Sequence, residues 1–189
     1  AQYATPVCFV AGMGVETPQG AVPVEAIRPG MRVITRDHGV QEVLWTGSRQ
    51  AMAVESFVPV RIASGAMGNA SALVVSQQHR VLVTGWQAEM HFGADQVLVP
   101  AVHLLGQPGV SRQPGGMVSY HHLLLPCHAV LNSGGLWSES FHAGPCSLDA
   151  LLPEARAEIA TLHPDCLDAP LAYPSLRRHE ASLLWQKAA

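Results

Sequence analysis

Cys8-Phe9-Val10-Ala11-Gly12, running on to Thr17-Pro18-Gln19-Gly20, decides how the rest of this chain is read. A thiol stands just after Val7, at the head of a short apolar run that ends in glycine. Much further along, Ser76-Gln77-Gln78-His79 lies between the apolar runs Leu73-Val74-Val75 and Val81-Leu82-Val83. A thiol supplies a nucleophile, while a hydroxyl and an imidazole can polarise a carbonyl and protonate a departing amine. If these two stretches meet in space, the bond within their reach is the chain's own, between Val7 and Cys8. Taken singly, each residue has a plainer reading. A cysteine among apolar neighbours is a small buried hydrophobe, and a histidine beside branched residues is a core side chain with satisfied nitrogens.

Outward from these stretches, the pattern is mainly β. Val22 to Val24, Met31 to Thr35, Gln41 to Trp45, Phe57 to Ile62, Leu73 to Val75 and Val81 to Thr84 are short runs rich in branched residues. Gln96 to Val99, Met117 to Tyr120, His122 to Leu125 and His128 to Leu131 continue the series, with Gly, Pro and Asn between the runs. Such spacing predicts a compact all-β domain. Near residue 145 the period changes. Leu148, Leu151, Leu152, Ala155, Ile159 and Leu162 recur at helical spacing, with Pro153 placed to open the main helix. Arg178 to Gln186 reads as a second short helix. A tail of this size cannot bury a core alone and is expected to pack on the β domain.

Composition narrows the function classes. The chain has 189 residues, 48% of them hydrophobic, which suits a folded domain. Only 13% are charged, the net charge is −3, and no basic run suggests nucleic acid as a partner. No apolar stretch approaches the roughly 18 residues of a membrane span. Ala1 to Pro6 carries neither the basic nor the apolar part of a signal peptide, and the chain reads as a processed piece of something longer. The four cysteines, Cys8, Cys127, Cys146 and Cys166, form no close pair and leave the compartment open. A zinc reading of His121, His122, Cys127, His128, His142 and Cys146 matches no standard ligand spacing.

Three blocks, in order, resemble the Hint domains, the autoprocessing modules of Hedgehog proteins and inteins, and most of all the bacterial form that does not splice. The first is Cys8-Phe9-x-Ala11-Gly12-x-x-Val15-x-Thr17-Pro18-x-Gly20, then Val24-Glu25-x-Ile27-Arg28-Pro29-Gly30. The second is Val75-Ser76-x-x-His79-Arg80-Val81-Leu82. The third is Tyr120-His121-His122-Leu123, with His128-Ala129-Val130 and Asn132-Ser133-Gly134 after it. The resemblance implies a horseshoe-like Hint fold over 8–145, an upstream segment 1–7 to be cleaved, and a helical tail over 146–189.

It also implies roles. Cys8 would attack the Val7 carbonyl and turn the amide into a thioester, with water or another small nucleophile as acceptor and no cofactor. His79 would act as general acid on the scissile nitrogen. Ser76 would hydrogen-bond the scissile peptide and help fix the oxyanion. His122 is the candidate for activating Cys8, with His121 on the opposite sheet face, and His128 would support either group from the following strand. The substrate is then the chain's own upstream polypeptide, and the setting a larger extracellular bacterial protein. The sequence departs from the family pattern at Ser76, where Thr is commoner, at Met13, and at Pro126-Cys127. It also lacks the terminal His-Asn with a following nucleophile that splicing needs. Two other readings stay open: a degenerate Hint scaffold that binds or supports, and a Cys–His hydrolase acting in trans.

Overall fold

The computed structural model describes residues 6–185. Most of the expected upstream segment, residues 1–5, and the expected end of the second helix at Gln186 lie outside the described residues. A six-stranded antiparallel sheet runs, in spatial order, Val110–Arg112, Val60–Ile62, Leu73–Val75, Phe9–Val10, Met117–Leu124 and Trp45–Met52. A four-stranded antiparallel sheet contains Gln96–Pro100, Arg80–Thr84, Leu136–Glu139 and Val130–Ser133. Two small hairpins, Gly14–Thr17 with Gly20–Pro23 and Arg32–Ile34 with Val40–Glu42, complete the β structure. One apolar core joins them, including Phe9, Val33, Val75, Val81, Val99 and Leu131, each no more than 2% exposed.

The shortest strand positions the site. Phe9–Val10 lies between Leu73–Val75 and Met117–Leu124, with Phe9 opposite Val75 on one side and His121 on the other. One residue earlier, the antiparallel register brings Cys8 level with Ser76 and His122. Opposed residues share a face, so the alternation of the strands puts all three side chains on the same side. The Ser76 N–H donates to the Cys8 carbonyl at 3.0 Å, extending the pairing to the junction.

Several elements differ from the sequence expectation. The strand expected to end at Trp45 stops at Glu42, and a new eight-residue strand, Trp45–Met52, begins there. Its Thr46-Gly47-Ser48-Arg49-Gln50 stretch shows no apolar alternation, because its pairing with Met117–Leu124 is a backbone ladder. The runs 117–120 and 122–125 form one continuous strand, Met117–Leu124. Phe57 belongs to a 3-10 turn, Glu55–Phe57, so that strand starts at Val60. His128 precedes its strand, which begins at Val130. Helix Trp86–Phe92 was not expected; it closes on Gly93, whose φ of 65° is the left-handed cap that glycine allows.

The tail forms helices Pro145–Asp149, Pro153–Leu162 and Arg178–Ala181, with Pro153 at the start of the longest. It docks in two places. Ser175 bridges to Leu98 at the edge of the four-stranded sheet, with Leu176 N–H donating to the Leu98 carbonyl at 2.9 Å. The long helix buries Ile159 in a second apolar cluster with Val7, Trp45, Leu124, Phe141, Ala143 and Cys166.

Candidate self-processing site

The peptide joining Val7 to Cys8 is enclosed, with Val7 5% and Cys8 1% exposed. Its polar atoms have named partners. The Cys8 N–H, the nitrogen of the candidate scissile bond, donates to Ser76 Oγ at 3.1 Å. The Ser76 hydroxyl in turn donates to the Pro6 carbonyl at 2.8 Å. His122 Nδ1 lies 2.8 Å from the Val7 carbonyl oxygen. A carbonyl oxygen only accepts, so Nδ1 carries the proton and donates it there, leaving Nε2 bare. Cys8 Sγ sits abreast of the same ring, 3.3 Å from Nδ1 and 3.6 Å from Nε2, while its S–H donates to the Pro6 carbonyl at 3.0 Å. One imidazole therefore touches both the thiol and the carbonyl that the thiol would attack. Ser76 meets the nitrogen side of the peptide; the expectation also gave it the oxyanion, but the Val7 oxygen is met by His122.

His79 is fully buried beside Phe9, with ring centroids 4.5 Å apart in an edge-on arrangement. Neither ring nitrogen has a hydrogen-bond partner among the described residues. Burial pulls its pKa down to about 4, against the opposing influence of Glu139 and of the nearby Cys8 backbone. Burial likewise takes His122 down to about 4, opposed by its bond to the Val7 backbone. The Cys8 thiol is pushed well above its ordinary value by burial, with the Ser76 hydrogen bond and the charge of Arg49 acting the other way. At neutral pH the resting site thus holds a protonated thiol and two neutral imidazoles, which is the cheapest charge state for an enclosed pocket.

His128 is set apart from the thiol. Its Nδ1 accepts the Ala172 N–H at 2.9 Å, so its proton sits on Nε2 and goes to Glu139 Oε2 at 2.8 Å. Glu139, completely buried, also receives the Arg80 backbone N–H at 2.8 Å and Arg80 Nη1 at 2.9 Å. Burial would raise its carboxyl, but the His128 hydrogen bond and the Arg80 charge outweigh that and hold it below its ordinary value. His128 therefore stands behind His79, through Glu139. The other members of the imagined zinc set disperse: His121 Nε2 lies 3.0 Å from Ser119 Oγ, and His142 Nε2 2.7 Å from the Ala169 carbonyl. Cys127 packs against the main core.

Sequence reasoning missed four contributors. Pro6 offers the carbonyl that holds both the thiol and Ser76. Glu139 is given no role by the sequence reading, and nothing local marks it as buried. Arg49 acts on both Cys8 and His122 through its charge. Trp45 lies nearly parallel to the His122 ring, with centroids 6.3 Å apart and planes at 21°. The one available signal was Gly47, two residues from Trp45, where a Cβ would fall inside the indole.

Comparisons with known proteins bear on the fold and the family. No curated protein matches the sequence. A solution structure of a bacterial intein-like domain from Clostridium thermocellum is similar at 15% identity and a TM-score of 0.51, covering 71% of this chain and 97% of that one. The splice-inactive AceL NrdHF class 3 split intein is similar at 14% identity and a TM-score of 0.47, covering 71% of this chain and 97% of its own. At such identities the first likeness speaks for the fold. The family model described as the Hint domain matches residues 7–145, from the residue before the buried thiol to the start of the tail. On that match, and with a mainly β intein-like fold beneath it, the chain belongs to the Hint domain family.

Proposed function

We propose that this domain breaks its own Val7–Cys8 bond by an N–S acyl shift, leaving a thioester that water or another small nucleophile resolves. One observation carries the reading: His122 lies 2.8 Å from the scissile carbonyl oxygen and 3.3 Å from the Cys8 sulfur. In the step, Sγ bonds to the Val7 carbonyl carbon while that oxygen gains negative charge, which the hydrogen bond donated by His122 Nδ1–H is placed to stabilise. The C–N bond then breaks, and the Cys8 nitrogen takes up a proton to leave as an amine. The thiol gives up one proton and the nitrogen gains one, so the shift is balanced without an oxidant or cofactor. The bare Nε2 of His122 is the base within contact of the thiol. His79, neutral at rest, must collect that proton before it can act as the acid. Glu139 is the charge that favours its cationic form.

The thiol also favours its own chain over an outside peptide, since Cys8 is 1% exposed with the upstream residues in place. The test is mass spectrometry of the purified chain incubated at mildly alkaline pH with hydroxylamine. Release of residues 1–7 as the hydroxamate, with Cys8 at the new amino terminus, is the expected result. Full-length protein alone, with its fold verified, would favour the scaffold alternative.

A further inference from the structure

The family match ends at residue 145, yet the helical tail beyond it reaches the scissile peptide. The Val7 side chain is not held by the β domain alone. It shares one closed apolar cluster with Trp45, Leu124 and Phe141 of the β domain and with Ile159 and Cys166 of the tail. Trp45 links the two. Its indole lies across Gly47 on the sheet face that carries His122, and its Nε1–H donates to Glu158 Oε2 on the long tail helix at 3.0 Å. Gly47 stands opposite His122 in the ladder, and only the missing side chain there lets the indole lie flat beside that ring.

Val7 is 5% and Ile159 0% exposed, so both side chains are enclosed within this cluster. A longer or charged side chain at position 7 would have to open the tail or remain unsolvated in an apolar pocket.

We propose that the tail is a wall of the processing site: together with Trp45 it forms the recognition pocket for residue 7, restricting cleavage to upstream segments that end in a compact aliphatic residue. This deepens the self-cleavage reading and rests on it. Ile159 is a specificity-determining residue here. Trp45 is a positioning residue, since it lies nearly parallel to the His122 ring and shares the cluster that holds Val7.

The test measures hydroxylamine-released upstream peptide from chains that differ at position 7, with near-ultraviolet circular dichroism as the fold control. Val7→Phe and Val7→Asp should each slow release by at least about tenfold, the scale of a misfitted apolar pocket. Ile159→Ala, added to Val7→Phe, should recover most of the loss, because it vacates volume in the same cluster. The same Ile159→Ala in the Val7 chain should not accelerate release. Equal rates for Val7, Val7→Phe and Val7→Asp would overturn the tail pocket and leave self-cleavage standing. A slow Val7→Phe chain that Ile159→Ala does not rescue would overturn the tail's part in it. A Val7 chain that releases nothing would overturn the self-cleavage reading itself, and this inference with it.

Discussion

The pocket around Cys8 and the centre around Glu139 are both buried, both contain histidine, and differ in how completely their polar atoms are paired. At Glu139 the carboxylate has Arg80 on one side and His128 on the other, and the far nitrogen of His128 is held by the Ala172 N–H. Nothing there is left to react. At Cys8 the thiol has burial raising its pKa, two imidazoles are kept neutral by the same burial, and both nitrogens of His79 are unpartnered among the described residues. A fully satisfied buried network fixes structure, whereas a buried polar atom left without a partner is costly. The two centres meet at His79, whose cationic form Glu139 favours.

The sharpest way to break this contrast is Cys8→Ala. It should abolish release of the upstream peptide, read by mass spectrometry, and any cleavage that survives would place the reactive thiol elsewhere. The next largest effect concerns acid. His79 and His122 have folded pKa values of about 4 against the ordinary value near 6.5. Above about pH 6.5 both states are neutral and the fold keeps its full stability. As pH falls below that value the unfolded chain binds protons that the folded one resists, so stability is lost down to about pH 4. Each imidazole accounts for about 3 kcal/mol of that loss. Urea titrations at pH 7.5, 5.5 and 4.5 would measure it; about half the loss would mean that one of these rings is solvated, and a flat profile that both are.

Glu139→Gln should act mainly on stability, by about 3–5 kcal/mol, the scale of a buried pair broken at one partner. Chemical denaturation reads this directly. A folded Glu139→Gln domain that is stable yet slow to cleave would shift the centre from a structural to an electrostatic role. His79→Ala should do the reverse, slowing cleavage by at least about a hundredfold with the fold preserved. Ser76→Ala should cost less than His79→Ala, because it removes a hydrogen bond to the peptide and not the group that would deliver the proton, and Ser76→Thr should be tolerated. Smallest of all, Cys127→Ala should leave the cleavage rate within about twofold, in the range of substitutions away from the site. A strong loss there, with unchanged circular dichroism, would bring a second thiol into the mechanism.

Cys8, Ser76 and His79 were legible in the sequence because each sits in a short local pattern: an apolar run after a thiol, and a hydroxyl and an imidazole at fixed spacing between branched residues. The β class was legible for the same reason, since strands of alternating or branched residues are local, and so were Pro153 as the opening of the tail helix and the split of His121 from His122 by alternation. What sequence could not decide was everything that depends on which strands become neighbours. The strand Trp45–Met52 has a polar middle and is held by its ladder to Met117–Leu124, so no periodicity announces it. His122 gained the Val7 oxygen, and Ser76 the Cys8 N–H, because Phe9–Val10 inserts between two distant strands at one register. Glu139 became a buried charge only where Arg80 and His128 came together around it. The contact of Trp45 with the tail joins residues 113 positions apart. Local residue patterns fix elements and nominate nucleophiles; hydrogen-bond partners, burial and the proton each histidine carries are set by long-range packing, and those decide what the site can do.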